Sequence, residues 1–181
     1  HFVSSYLSHR PTFFAFIRPQ EAYLFDAHIS QFKPPVLDFG CGDGFFANLV
    51  FPKNFIRTGL AIAKSRINQA KDKPVYQELK TFEGTSIPFK NNSYQTVISN
   101  SVLEHIPNLD QNIRQVHRIL KPRGIFATSV MADKWEAYLP LGKILGPSYL
   151  KSLKIKQEPY NLLSVKHWSQ KFETHGFRVK S

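Results

Sequence analysis

The chain has 181 residues, of which 42% are hydrophobic and 20% charged, enough for one domain with a full core. A single cysteine excludes an internal disulfide and fits a reducing, cytoplasmic setting, and no uninterrupted apolar run is long enough to span a bilayer. The net charge of +11 invites an anionic partner, but the basic residues are spread along the chain, so a solvated positive surface is expected over a nucleic-acid groove.

His1–Gln31 is rich in aromatic residues (Phe2, Tyr6, Phe13, Phe14, Phe16, Tyr23 and Phe25). Two helices fit it, broken near Pro11 and Pro19, and Gln20–Ile29 carries apolar residues at helical spacing. Residues 1–31 thus read as an N-terminal helical cap, which either covers a ligand or packs on a sheet. Lys33-Pro34-Pro35 ends it, and a first strand starts at Val36. Strands then follow over Phe55–Ile62, Val75–Leu79, Gln95–Ser99 and Ile125–Val130, with helices over Lys64–Lys71 and Leu109–Leu120. Gly124, in the turn Lys121-Pro122-Arg123-Gly124, is expected to supply the turn's backbone conformation.

Residues 133–165 break the alternation. Trp135, Tyr138, Tyr149 and the lysines at 151, 154 and 156 suggest an insertion of short helices on a substrate face. A final helix is expected over His167–His175, and Phe177–Val179 reads as the start of a sixth strand. The whole reads as one α/β domain over residues 1–181, a mainly parallel sheet with helices on both faces. Ligands of such sheets bind beyond the carboxyl ends of the strands, at the switch point.

The segment Val36-Leu37-Asp38-Phe39-Gly40-Cys41-Gly42-Asp43-Gly44 lies there, a buried strand running into a glycine loop and then into the apolar start of a helix. Alternate glycines allow positive φ and close approach of a ligand to the backbone. A carboxylate at the end of a buried strand needs a partner, which a cationic ligand supplies. The dinucleotide pattern G-x-G-x-x-G is not met: the third glycine comes one residue early and Phe45 follows it. An acid without a phosphate cradle suits a ligand with an ammonium and a ribose but no phosphate, as in S-adenosylmethionine. Cys41 reads as a small space-filler inside the loop, not a nucleophile.

The segment resembles the first motif of class I S-adenosylmethionine-dependent methyltransferases of the small-molecule group, and matching spacings continue through Val130, with a weaker match over Trp168–Val179. The resemblance implies a Rossmann-like fold closed by a C-terminal edge hairpin, and the chain reaches Ser181 as that hairpin begins, which reads as truncation. It implies that Asp38, Gly40, Cys41 and Gly42 hold the cofactor, with Asn100 and Ser101 near its methionine portion. It places Glu83 at the adenine amino group, with Gly84 and Thr85 beside it. The acid expected at the ribose hydroxyls falls on Ala61, so weak affinity, a substitute at Lys64 or Ser65, or an inactive relative follows. His105, in Val102-Leu103-Glu104-His105, is the candidate general base or, alternatively, a packing residue beside the cofactor, while Glu104 is expected to be structural.

The remaining histidines named by spacing (His9, His28, His117, His167, His175) show no ligand-like pattern, so no metal is expected. The leading expectation is methyl transfer to a small or lipid-like acceptor, at oxygen. The alternative is a catalytically degenerate methyltransferase-like binding domain, and an RNA-modifying enzyme has only the basic charge behind it.

Overall fold

Val36–Phe39 forms β1, buried at all four positions. The structure is a computed structural model and describes residues 1–9, 17–62, 64–82, 84, 86–134, 146, 148 and 159–180, with the backbone alone at 64 and 65. The residues of β1 alternate between two cores. Val36 joins a cluster with Phe25, Phe51 and Ile67, whereas Leu37 and Phe39 join one with Ile113, Trp168 and Phe172. A run apolar at every position is what a parallel strand covered on both faces requires.

Two helices precede β1, α1 (Phe2–His9) and α2 (Arg18–His28). Pro19 does not interrupt the second; it lies in the first turn, where its missing N–H costs nothing. After β1 come α3 (Phe45–Val50), β2 (Ile56–Ala61), α4 (Lys64–Ala70), β3 (Tyr76–Thr81), β4 (Tyr94–Asn100), α5 (Leu109–Ile119), β5 (Leu120–Ser129) and α6 (Val165–Thr174). The sheet has the order β3-β2-β1-β4-β5, and all its pairs are parallel. Side chains of α2, α3 and α4 enter the first cluster, and those of α5 and α6 the second. The doubly wound α/β expectation therefore holds.

Three details differ from the sequence expectation. The fifth strand starts at Leu120, not Ile125, and takes in the turn through a register shift between Tyr94 and Thr96. Within it Arg123, not Gly124, has the positive φ, at 61°. Gly124 is glycine because of crowding: a Cβ there would stand 2.8 Å from the Lys121 carbonyl and 3.0 Å from that of Gln95.

Finally, Phe177–Val179 does not pair with the five-stranded sheet. The Gly176 and Phe177 amides donate to the Glu173 and Phe172 carbonyls at 3.0 and 3.1 Å. With Gly176 at φ 86°, this closes α6 by a Schellman motif. The Phe177 donor is spent on the helix, and its ring packs on Phe126 and Phe172.

Asp110, in the first turn of α5, accepts from Lys171 Nζ at 3.0 Å and from His175 Nε2 at 2.7 Å, tying α5 to the end of α6. Both donors hold its carboxyl below the ordinary aspartate range.

Candidate cofactor and acceptor site

The order 3-2-1-4-5 places the switch point between β1 and β4, and the glycine loop leaves β1 there. The loop is stitched to β2 by two bonds, the Gly40 and Cys41 amides both donating to the Leu60 carbonyl, at 2.8 and 3.0 Å. Gly40, Gly42 and Gly44 all have positive φ. Their reasons for being glycine differ. A Cβ on Gly40 would lie 2.4 Å from Val102 Cγ2, so the segment after β4 packs directly on the loop. A Cβ on Gly42 would meet nothing nearer than the Gly40 carbonyl at 4.0 Å; it would project into open space. That space belongs to a cleft of about 560 Å³.

Asp38, Gly40, Cys41, Gly42, Ala61, Asn100, Ser101 and His105 all line this one cleft. Sequence spacing thus brought together residues from β1, β2, β4 and the turn after β4. Gly84 lies one step back: a Cβ on it would be 3.5 Å from Ile62 Cδ1, and Ile62 lines the cleft. Glu83 and Thr85 lie outside the described residues, as do the side chains of Lys64 and Ser65. The segment holding Gly84 is braced from behind, because Asn112 Nδ2 of α5 donates to the Gly84 carbonyl at 3.1 Å. Arg118 similarly donates to the carbonyls of Ile87 and Phe89, at 2.9 and 2.7 Å.

Asp38 is 6% exposed, and burial pushes its carboxyl up to about 7, against the pull of a hydrogen bond from the Tyr76 hydroxyl. The sequence argument looked to a ligand for the partner of this buried acid; Tyr76 is one such partner, at 2.7 Å from Oδ2. Burial, followed by the neighbouring Asp38 charge, pushes the Cys41 thiol far above its ordinary value. It is protonated at neutral pH, as a space-filler would be.

Spacing did not reveal the residues facing the loop from the N-terminal helices. Tyr6 of α1 and Arg18 of α2 line the cleft, and the Tyr6 ring meets Phe45 edge-on at 5.1 Å. Arg18 Nη1 donates to Glu21 Oε2 at 2.8 Å, and Glu21 Oε1 accepts from Ser101 Oγ at 2.8 Å. The first signal was only aromatic richness; the second, an Arg-Pro helix start, pointed to a boundary and not to a ligand. Phe82, Arg66 and Ile106 also line the cleft without having been singled out as site residues.

His105 ends a short 3-10 turn, Leu103–His105. This turn is held by Tyr160 and Asn161. Asn161 Nδ2 donates to the carbonyls of Leu103 and Ile106, at 3.0 and 2.6 Å, and the Tyr160 and Asn161 amides donate to the Glu104 carbonyl. The Glu104 side chain is fully buried, and no side chain among the described residues donates a hydrogen bond to its carboxyl. Burial pushes it up to about 7.

The donor set fits S-adenosylmethionine in three respects: a buried acid bordering the cleft, an approach over Gly42 that a Cβ would fill, and positive-φ glycines beside both. It departs from the expected set at Ala61, which is 4% exposed and offers the ribose only a methyl group.

An all-parallel 3-2-1-4-5 sheet with an acid-led glycine loop at its switch point defines the Rossmann-like class I group of S-adenosylmethionine-dependent methyltransferases. The chain belongs to the methyltransferase domain family, whose model matches residues 1–181, and the methyl donor of that family is S-adenosylmethionine. It is 30% identical over 107 residues to the mitochondrial arginine-hydroxylase NDUFAF5 of Danio rerio, covering 59% of this chain and 33% of that protein. It is 33% identical over 110 residues to the ubiquinone biosynthesis O-methyltransferase of Rickettsia typhi, covering 59% of this chain and 45% of that protein. The chain thus spans between a third and a half of these relatives. A solved structure from Thermotoga maritima, a possible histamine N-methyltransferase, shares the fold, with a TM-score of 0.66, 16% identity and coverage of 98% of this chain and 79% of that one. No helix among the described residues is long and apolar enough to cross a membrane.

Proposed function

We propose that the protein transfers the methyl group of S-adenosylmethionine to an oxygen of a small or lipid-like acceptor. The observation that carries this reading is the single cleft in which the glycine loop and His105 share walls with Tyr6, Phe45, Phe46 and Ile106. The apolar wall that these side chains form suits an acceptor with an apolar body, beside the polar groups of the loop and of the turn after β4. The name of the Rickettsia relative supports oxygen as the acceptor atom.

The bound cofactor supplies an electrophilic methyl on a sulfonium. The chain's residues do the rest. Asp38 receives the cofactor's ammonium, the loop backbone at Gly40 and Gly42 comes close to it, and Asn100 and Ser101 border its methionine portion. Glu83, in the register of the adenine acceptor, completes the assignment. Tyr6 and Phe45 exclude water from one wall. His105 accepts the acceptor's proton as the oxygen–methyl bond forms and the sulfur–methyl bond breaks. The lysines at 151, 154 and 156, assigned to the substrate face by sequence, lie outside the described residues.

The test is methyl transfer from radiolabelled S-adenosylmethionine to a panel of hydroxylated aromatics, prenylated phenols and amines. Labelling of amines alone would overturn the oxygen assignment. His105→Gln should lower kcat by about a hundredfold while S-adenosylhomocysteine binds as before, in the range for a lost general base. An unchanged kcat would remove His105 from the chemistry and leave it as a wall residue.

One observation favours a second reading, a binding domain without turnover: Ala61 lines the cleft where an acid was expected. Ala61→Asp should then tighten S-adenosylhomocysteine about tenfold, or about 1.4 kcal/mol. Calorimetric titration checks this. Unchanged binding would mean that another group already serves the ribose.

A further inference from the structure

Gly59 is the β2 residue in register with Asp38 of β1, and a Cβ on it would stand 2.9 Å from Tyr76 Cε1. A Cβ on Gly44, in the loop, would stand 2.9 Å from Tyr76 Cε2. Neither glycine has room for a side chain: the Tyr76 ring crowds both, joined at Gly59 by Leu79 Cδ2 at 2.7 Å and at Gly44 by Lys73 Cγ at 3.0 Å. Tyr76 opens β3, which is separated from β1 by β2. Its side chain crosses β2 where β2 has no side chain, passes beside the loop at Gly44, and delivers its hydroxyl to Asp38 Oδ2 at 2.7 Å. Oδ2 thus has a protein donor, and the same carboxyl group borders the cleft.

We propose that Tyr76 is a positioning residue of the cofactor site, its hydroxyl fixing the Asp38 carboxylate so that Oδ1 meets the ammonium of S-adenosylmethionine. This rests on the assignment of Asp38 to the cofactor made above. A buried carboxylate left without such a donor retreats to its neutral form, which has little attraction for a cation. The other titratable groups at this point are Cys41 and Asp43 of the loop, with Lys73 beside Gly44, and Arg18 and Arg66 on the cleft wall. Cys41 and Tyr76 are both pushed toward their neutral forms, so Tyr76 acts as a donor throughout the neutral range.

The test compares the unaltered protein with Tyr76→Phe and Asp38→Asn. S-adenosylhomocysteine affinity is measured from pH 5.5 to 9, and the Asp38 carboxyl is followed by carbon-13 NMR without ligand. The ratio of two proteins' affinities at each pH cancels the ligand's own titration. Phenylalanine keeps the ring between the two glycines and removes only the donor, so the Asp38 midpoint should move upward from about 7. The affinity loss should be about tenfold between the two midpoints and shrink on either side. A loss of equal size at every pH, or no loss, with an unmoved Asp38 midpoint, would overturn the proposal. In the unaltered protein the ligand should shift the Asp38 carboxyl and Tyr76 Cζ resonances together, and an indifferent Tyr76 resonance would also overturn it. Asp38→Asn separates the two layers of inference. Full binding by that variant removes Asp38 from the cofactor site altogether, whereas weak binding by Asp38→Asn with unaffected Tyr76→Phe removes only the role of Tyr76.

Discussion

Replacing Gly42 with valine should abolish S-adenosylhomocysteine binding while the domain still folds. The two halves of this expectation have separate causes. The nearest atom to a new Cβ, chain neighbours aside, is the Gly40 carbonyl at 4.0 Å, so the site accepts a Cβ without a clash. The residue has φ 55°, where a β-branched side chain costs about 1–2 kcal/mol, a loss a folded domain survives. The isopropyl group then projects into the space that the ligand needs, and affinity should fall about a hundredfold or more, equivalent to ~2.7 kcal/mol. Gly42→Ala carries the same backbone strain with less bulk and should bind with intermediate affinity. Calorimetry with thermal melts checks both. Full-strength binding by the valine variant would place the ligand elsewhere in the cleft. Gly40 gives the opposite pattern, since a Cβ there drives into Val102 before any ligand arrives.

Glu104→Gln should stabilise the protein at pH 8 and do nothing of the kind at pH 5. Burial raises this carboxyl from 4.5 to about 7 in the folded state. A raised acid contributes stability that is present in full below the unfolded value and is lost as pH rises through the folded one. The wild-type protein should therefore lose stability across roughly pH 4.5–7 through this group, by at most ~3 kcal/mol. Glutamine has no charge to bury, but its amide gains no side-chain partner among the described residues, so a net gain of ~1–2 kcal/mol at pH 8 is expected. Asp38 titrates in the same window in both proteins and cancels from their difference. Urea unfolding at pH 5 and pH 8 reads the effect. Equal differences between variant and wild type at the two pH values would show that the carboxyl keeps one protonation state across that range.

Much of the fold was legible because its signals are local. The apolar run at Val36, the periodic helix after Leu109 and the strand from Tyr94 each announce themselves within a few residues. The glycine loop was legible too, since positive φ restricts residue type at the position itself. The misses are non-local. Tyr76 reads as an ordinary strand residue until β2 and β1 are placed beside β3, and the emptiness of Gly59 acquires meaning only then. Arg18 is not singled out by spacing, and its place on the cleft wall emerges only when α2 is laid against Ser101. The strand expected at Phe177 failed because its amide donor serves a helix end, and this is set by Gly176 and not by the β propensity of the segment. Arg123 took the positive φ because the neighbouring glycine was already needed to let two carbonyls approach.

The alternation within β1 also bears on how such a domain changes over time. The helices that precede the sheet rest on the cluster containing Phe2, Ala22 and Phe25, while α5 and α6 rest on the other, with the sheet between the two clusters. Distant sites without shared partners act additively. Substitutions within the apolar faces of α1 and α2 should therefore be tolerated without disturbing the packing beneath α5 and α6, except where Glu21 of α2 accepts from Ser101 beyond β4.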